Sequence, residues 1–259
     1  MRIKANGISI NYEIDGPEGA PWVVFSNSLA TNVTMWEPQR EALKTTFRIL
    51  RYDQRGHGAT DAPAGRYTFD LLIADVLALL DALAIKRPHW VGLSMGGATG
   101  LGIAERFPDR LDRLVVCDTG CASTPASAKQ WEERIAIVQR DGIEALVEPT
   151  VQRWHPPEAV AARAPQVDKV RQMIRTTPAN GFIGCAAALA DHDFRSAIAT
   201  VTRPVLFLVG DKDGVNPPAM RELHAALPGS KYVELAGAGH ISNLDQPAAF
   251  TRAVKDFLS

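Results

Sequence analysis

Short apolar runs recur along the chain, and what separates them constrains the fold more than any other feature of the sequence. The first alternates: Ile8, Ile10, Tyr12 and Ile14 stand against Ser9, Asn11, Glu13 and Asp15, the period of a strand with one wet face. The later ones lie at Trp22–Phe25, Phe47–Tyr52, His89–Leu93, Leu114–Cys117, Val205–Val209 and Tyr232–Leu235. Several are nearly continuous apolar stretches, as expected of parallel strands covered on both faces. Parallel neighbours need a crossover between them, usually a helix, and helical periods fill the gaps. Apolar residues at 69, 72, 73, 76, 80 and 83 predict a helix over Phe69–Leu83, another can start after Gly97 and run to about Phe107, and a last one fits Pro247–Leu258. The class is α/β, with a mostly parallel sheet flanked by helices.

The alternation is interrupted once. From about Thr119 to Ala199 there is no strand pattern, only helical stretches punctuated by Pro125, Pro149, Pro156, Pro157, Pro165 and Pro178. We therefore expect residues 1–118 and 200–259 to form the core, and residues 119–199 to form a helical cap over the C-terminal ends of the strands. That edge is where α/β folds place their sites.

Charge and composition remove other classes. Lys plus Arg is 28 and Asp plus Glu is 29, so neither the basic excess of a nucleic-acid binder nor an acidic tail is present. The apolar stretch Phe69–Ile85 carries Asp70, Asp75 and Asp81, which breaks any membrane span. Ile3–Tyr12 alternates and forms no export segment. Cys117, Cys121 and Cys185 make no disulfide framework, and the six His are too scattered for zinc spacing. The expectation is a cytoplasmic, reduced protein that needs no metal or other cofactor and binds neither nucleic acid nor membrane. Its oligomeric state leaves no trace in the sequence.

Chemistry concentrates at Gly92-Leu93-Ser94-Met95-Gly96-Gly97. A Gly-x-Ser-x-Gly between a strand and a helix is the setting of a nucleophile elbow, a sharp turn that lifts a serine above the sheet edge. The following helix aims its N-terminus at the developing negative charge. Partners follow in the order such a site requires. The strand Val205–Val209 runs into Gly210-Asp211-Lys212-Asp213, and Gly237-Ala238-Gly239-His240 follows the final run. His240 would take the Ser94 proton as general base while a carboxylate fixes its tautomer. Asp213 is the preferred acid, Asp211 its local competitor, and Asp118, ending an earlier strand, a third choice. His57, His89, His155, His192 and His224 have no such context. Two backbone N–H groups must bind the oxyanion; Met95 follows the nucleophile, and Leu29 lies in Ser26-Asn27-Ser28-Leu29 after an early strand.

These motifs, with Arg51-Tyr52-Asp53-Gln54-Arg55-Gly56-His57-Gly58, resemble those of the α/β-hydrolases from end to end. The resemblance implies an eight-stranded, mostly parallel sheet. Within that superfamily the chain is most similar to the 3-oxoadipate enol-lactonases, which share the Ser-Asn-Ser-Leu form and resemble Tyr232–Leu235 and His240–Asn243. It departs from them at Ala30, where they tend to have Gly. It departs again at Asp118-Thr119-Gly120-Cys121-Ala122, where they tend to show Asn-Thr-Ala-Ala-Arg. A basic residue is thus absent near the start of the cap. The resemblance implies a hydrolase that opens a small carboxylated enol-lactone through an acyl-enzyme. Trp131 and Trp154 are candidate pocket walls, and Arg134 or Arg153 a candidate partner for the substrate carboxylate. The alternatives on the same scaffold are a general carboxylesterase, a cofactor-free perhydrolase or haloperoxidase, and a non-catalytic ligand receptor. Relatives with an Asp nucleophile are excluded by Ser94.

The choice between neighbouring carboxylates is open to test. Asp213→Asn should cripple ester turnover, while Asp211→Asn leaves most of it. The reverse ranking of the two kcat/KM values would move the acid to Asp211.

Overall fold

A computed structural model describes residues 1–259. The order is β1 (Arg2–Ala5), β2 (Ile8–Asp15), β3 (Trp22–Ser26), α1 (Glu37–Leu43), β4 (Arg48–Tyr52), α2 (Phe69–Ala82), β5 (His89–Leu93), α3 (Met95–Arg106) and β6 (Leu114–Cys117). Six helices follow without a strand: α4 (Pro125–Asp141), α5 (Val147–Trp154), α6 (Pro157–Ala161), α7 (Pro165–Thr176), α8 (Ala179–Ala190) and α9 (Arg195–Thr200). The chain closes with β7 (Val205–Gly210), α10 (Asn216–Ala226), β8 (Lys231–Leu235), α11 (Ser242–Asp245) and α12 (Pro247–Leu258). No helix is long and apolar enough to cross a membrane.

The eight strands form one sheet in the order β1-β2-β4-β3-β5-β6-β7-β8. Pairing is antiparallel at β1–β2 and β2–β4 and parallel from there on. The central strands β5, β6 and β7 are buried at every residue, while the terminal strands β1 and β8 are largely uncovered. This is why the central runs read as continuous apolar stretches and the outer ones do not. β1, four residues of which only Ala5 is buried, carried too little pattern to stand out.

Prolines that looked like breaks in the long helical stretch are starts. Pro125, Pro157 and Pro165 each open a helix, and Pro178 caps one; at those positions a missing N–H costs nothing. The ends of the stretch meet: Ala122 bridges Asp193, and the Phe194 N–H donates to the Cys121 carbonyl at 2.7 Å.

One boundary differs from expectation. α3 begins at Met95, directly after Ser94, and so takes in Gly96 and Gly97. Glycine is a poor helix former, but packing requires it here. A Cβ on Gly96 would run into the Ser26 carbonyl of β3, and one on Gly92 into the Gly96 carbonyl. Gly96→Ala should therefore lower the unfolding free energy in urea by about 2 kcal/mol or more. Gly120→Ala, with no atom closer than 4.0 Å to the added carbon, should stay within about 0.5 kcal/mol of the parent. Equal values for the two would mean the elbow does not depend on that approach.

Candidate active site

Three loops at the C-terminal edge of the parallel strands carry the candidate residues. Ser94, between β5 and α3, has φ 54° and ψ −114°, a region that non-glycine residues occupy at a cost and mainly at functional sites. Its N–H donates to the Cys117 carbonyl at 2.8 Å, and its own carbonyl accepts from Ala98 at 2.9 Å. The strained turn is thus pinned to β6 on one side and built into α3 on the other. The side chain is half-buried.

His240 lies in the loop between β8 and α11. Its Nδ1–H donates to both oxygens of Asp213, at 3.0 and 2.9 Å, and both side chains are buried. Asn216 also donates to Asp213 Oδ2, at 2.7 Å, so the carboxylate is held from two sides. The His240 ring bonds only to Asp213; it makes no hydrogen bond to Ser94 Oγ. The structure therefore brings Asp213 and His240 together and leaves Nε2 without a protein partner.

The other two carboxylates are occupied elsewhere. Asp211 Oδ1 accepts from the Gly237 N–H at 2.8 Å and closes the β8 loop. Asp118 accepts from the Gly210 N–H at 2.8 Å and from Ser242 Oγ at 2.5 Å, tying the acid strand to the loop that carries His240. Burial, then the nearby Asp213 charge, pushes its carboxyl well above the usual range. Neither bonds to His240.

Leu29 and Met95 are buried, and neither backbone N–H donates to a protein acceptor. Both N–H groups are therefore free, as the expected oxyanion role demands. The Leu29 loop is held by a residue to which the sequence assigned no chemistry. The N–H of Ala30, at φ 57°, donates to His57 Nε2 at 2.8 Å, and His57 Nδ1–H donates to the Arg55 carbonyl at 3.1 Å. Gln54 Nε2 donates to the Asn27 carbonyl at 2.6 Å. Asp53 is buried and accepts from the Val33 N–H, the Ala59 N–H and Asn11 Nδ2; burial raises its carboxyl above the usual range. The loop after β4 thus forms a mould for the loop after β3. The sequence signal was a His set between Gly56 and Gly58, both at positive φ.

The four candidate pocket residues divide. Trp154 is buried and lies against His240, with ring centroids 5.3 Å apart. Trp131 is half-buried under two guanidiniums, Arg134 at 4.6 Å and Arg153 at 6.0 Å from its centroid. Neither arginine has an ion-pair or hydrogen-bond partner. The Arg153 side chain reaches solvent but its guanidinium is crowded by protein. That desolvation, then the Arg134 charge, pulls it down to about 10, while Asp213 acts the other way. Arg134 is lowered by burial. An anion would relieve both.

Burial also lowers His57, to about 4, so it is the neutral form that accepts from Ala30. Its depressed value gives stability that is complete above the unfolded-state value near 6.5 and is lost as pH falls towards 4. Between pH 7 and 5 this residue alone should account for about 2 kcal/mol of lost stability. His57→Gln should lose correspondingly less over that interval in urea unfolding. Parallel losses in the two proteins would rule out a neutral buried His57.

The rest of the chain agrees with known proteins over nearly its full length. Residues 23–253 match the model of the alpha/beta hydrolase family. The chain is 34% identical to 3-oxoadipate enol-lactonase 2 of Acinetobacter baylyi, over 98% of this chain and 94% of the relative. It is 29% identical to a putative carbamate hydrolase RutD of Stutzerimonas stutzeri, over 96% and 97%. The crystal structure of the enol-lactonase from Burkholderia xenovorans superposes with a TM-score of 0.95 at 38% identity, over 100% of this chain and 99% of the other. A strained serine between β5 and α3, an eight-stranded sheet of this order and a family match over residues 23–253 lead to one conclusion: the chain belongs to the alpha/beta hydrolase family.

Proposed function

We propose that the protein is a serine hydrolase that opens a small carboxylated enol-lactone, 3-oxoadipate enol-lactone to 3-oxoadipate, through an acyl-enzyme. The observation that carries this reading is the pair of unpartnered cations, Arg134 and Arg153, over the Trp131 ring, with Arg153 near enough to Asp213 to feel its charge. A neutral ester needs no such pair, whereas a substrate carboxylate would satisfy both. The two arginines then take the place of the basic residue absent after Thr119. The likeness to proteins named as enol-lactonases supports the same substrate class.

Ser94 Oγ attacks the lactone carbonyl as its proton passes to His240 Nε2. Asp213 stabilises the imidazolium, and the Leu29 and Met95 N–H groups bind the oxyanion. The acyl carbon–oxygen bond of the ring breaks, and the enol oxygen departs with the proton from His240. An enolate is a stable leaving group, so little acid assistance is required, and the released enol tautomerises to the ketone. Water then attacks the acyl-enzyme, gives its proton to His240, and Ser94 is regenerated with the second carboxylate of the product.

The decisive comparison is kcat/KM for 3-oxoadipate enol-lactone against neutral esters of similar size. A lactone preference of tenfold or more, about 1.4 kcal/mol of transition-state discrimination, is expected. Arg134→Met and Arg153→Met should each narrow it, chiefly through a higher KM for the lactone. Equal or faster turnover of the neutral esters would leave a general carboxylesterase.

A further inference from the structure

We propose that His155 and Asp245 are positioning residues for His240, forming a buried clamp that joins α5 to the loop holding the general base. This inference rests on the role given to His240 above, but not on the identity of the substrate. His155 Nδ1–H donates to Asp245 Oδ1 at 2.7 Å, and their side chains are 0% and 2% exposed. The second oxygen of Asp245 accepts from the Gly239 N–H at 2.9 Å. One carboxylate therefore ties the residue before His240 to the residue after Trp154.

Trp154 makes the same connection in two further ways. Its carbonyl accepts from the His240 N–H at 2.7 Å, and its indole lies against the His240 ring. The approach is so close that a Cβ on Gly239 would run into the Trp154 carbonyl. The dipeptide Trp154-His155 thus grips the dipeptide Gly239-His240 through a carbonyl, a carboxylate and a ring face. Asp213 fixes how the imidazole turns, through Nδ1. The clamp fixes where its backbone sits.

A buried carboxylate that loses one of two donors is left partly unsatisfied, and its freed end can then move towards water or another donor. Gly239 would move with it. Geometry errors of about 1 Å in a catalytic group can cost about a hundredfold in rate. His155 and Asp245 bond to each other and to Gly239 and not to Arg134 or Arg153, so their loss should act on turnover and leave binding alone. The sequence offered no sign of this, because the pairing spans ninety residues and the His–Asp pair forms only when α5 meets α11.

The test uses p-nitrophenyl acetate and the full chain, with folding checked by thermal melting. His155→Phe keeps a ring and deletes the donor, whereas His155→Asn restores an N–H near the Nδ1 position. His155→Phe should lower kcat tenfold or more with KM within twofold, and His155→Asn should recover kcat to within about threefold of the parent. Three results would overturn the proposal: a His155→Phe kcat within threefold of the parent, a change confined to KM, or no recovery in His155→Asn. If His155→Phe does not fold, Asp245→Asn replaces it under the same thresholds for kcat and KM, because an amide cannot accept from both donors. Ser94→Ala and His240→Ala separate the two failures. Retained activity in those variants would reject the hydrolytic site itself, whereas inactive controls beside an unaffected His155→Phe would reject only the clamp.

Discussion

Every feature of the candidate site depends on Ser94 being held at a backbone conformation that serine disfavours. Such strain persists only where the surroundings over-determine it, and three elements do so here. β6 accepts the Ser94 N–H, α3 starts at the next residue, and β3 packs its Ser26 carbonyl against Gly96 with no room for a side chain. The same packing that creates the strain orients the proposed nucleophile. It also leaves the Met95 N–H unbonded at a helix start, so one turn sets both the hydroxyl and the donor proposed for the oxyanion.

Around that fixed point the other loops are positioned by polar groups that are buried and satisfied. His57 and Gln54 hold the strand-β3 loop, Asp53 holds the segment that follows it, and Asp118 ties β7 to the loop beyond His240. Buried polar networks of this kind define one geometry when complete and are costly when partial. The edge of the sheet therefore behaves as a set of interlocked loops, each supplying an amide or carboxylate to the next. Electrostatics at the mouth has the opposite character. Arg134 and Arg153 lie over Trp131 with no ion-pair or hydrogen-bond partner, so two cations remain unpaired there.

Much of this was legible in the sequence because short-range rules govern it. Continuous apolar runs marked β5, β6 and β7, and residue order marked the Asp213 and His240 loops, which meet. The failures share a physical cause. α3 starts three residues earlier than local propensity implied, because the approach to Ser26 overrides the weak helix preference of Gly96 and Gly97. β1 is too short and too exposed to carry a pattern. His57 and His155 read as residues without a task, since their partners lie 27 and 90 positions away. Periodicity reports which face is buried; it does not report which buried polar atoms find one another.

The paired ends of the helical stretch carry an implication for how this scaffold can vary. Because Ala122 and Asp193 meet at a single bridge, the stretch leaves and re-enters the sheet at one point. A longer or shorter excursion would therefore add only a slowly growing loop-closure cost and need not move β6 or β7. Anatomically it is an exchangeable module, yet His240 takes a backbone acceptor from inside it. A transplanted excursion that fits the doorway but offers no carbonyl at the place of Trp154 would leave that amide stranded. Diversification of the excursion is thus tethered where Trp154 and His155 meet Gly239 and His240.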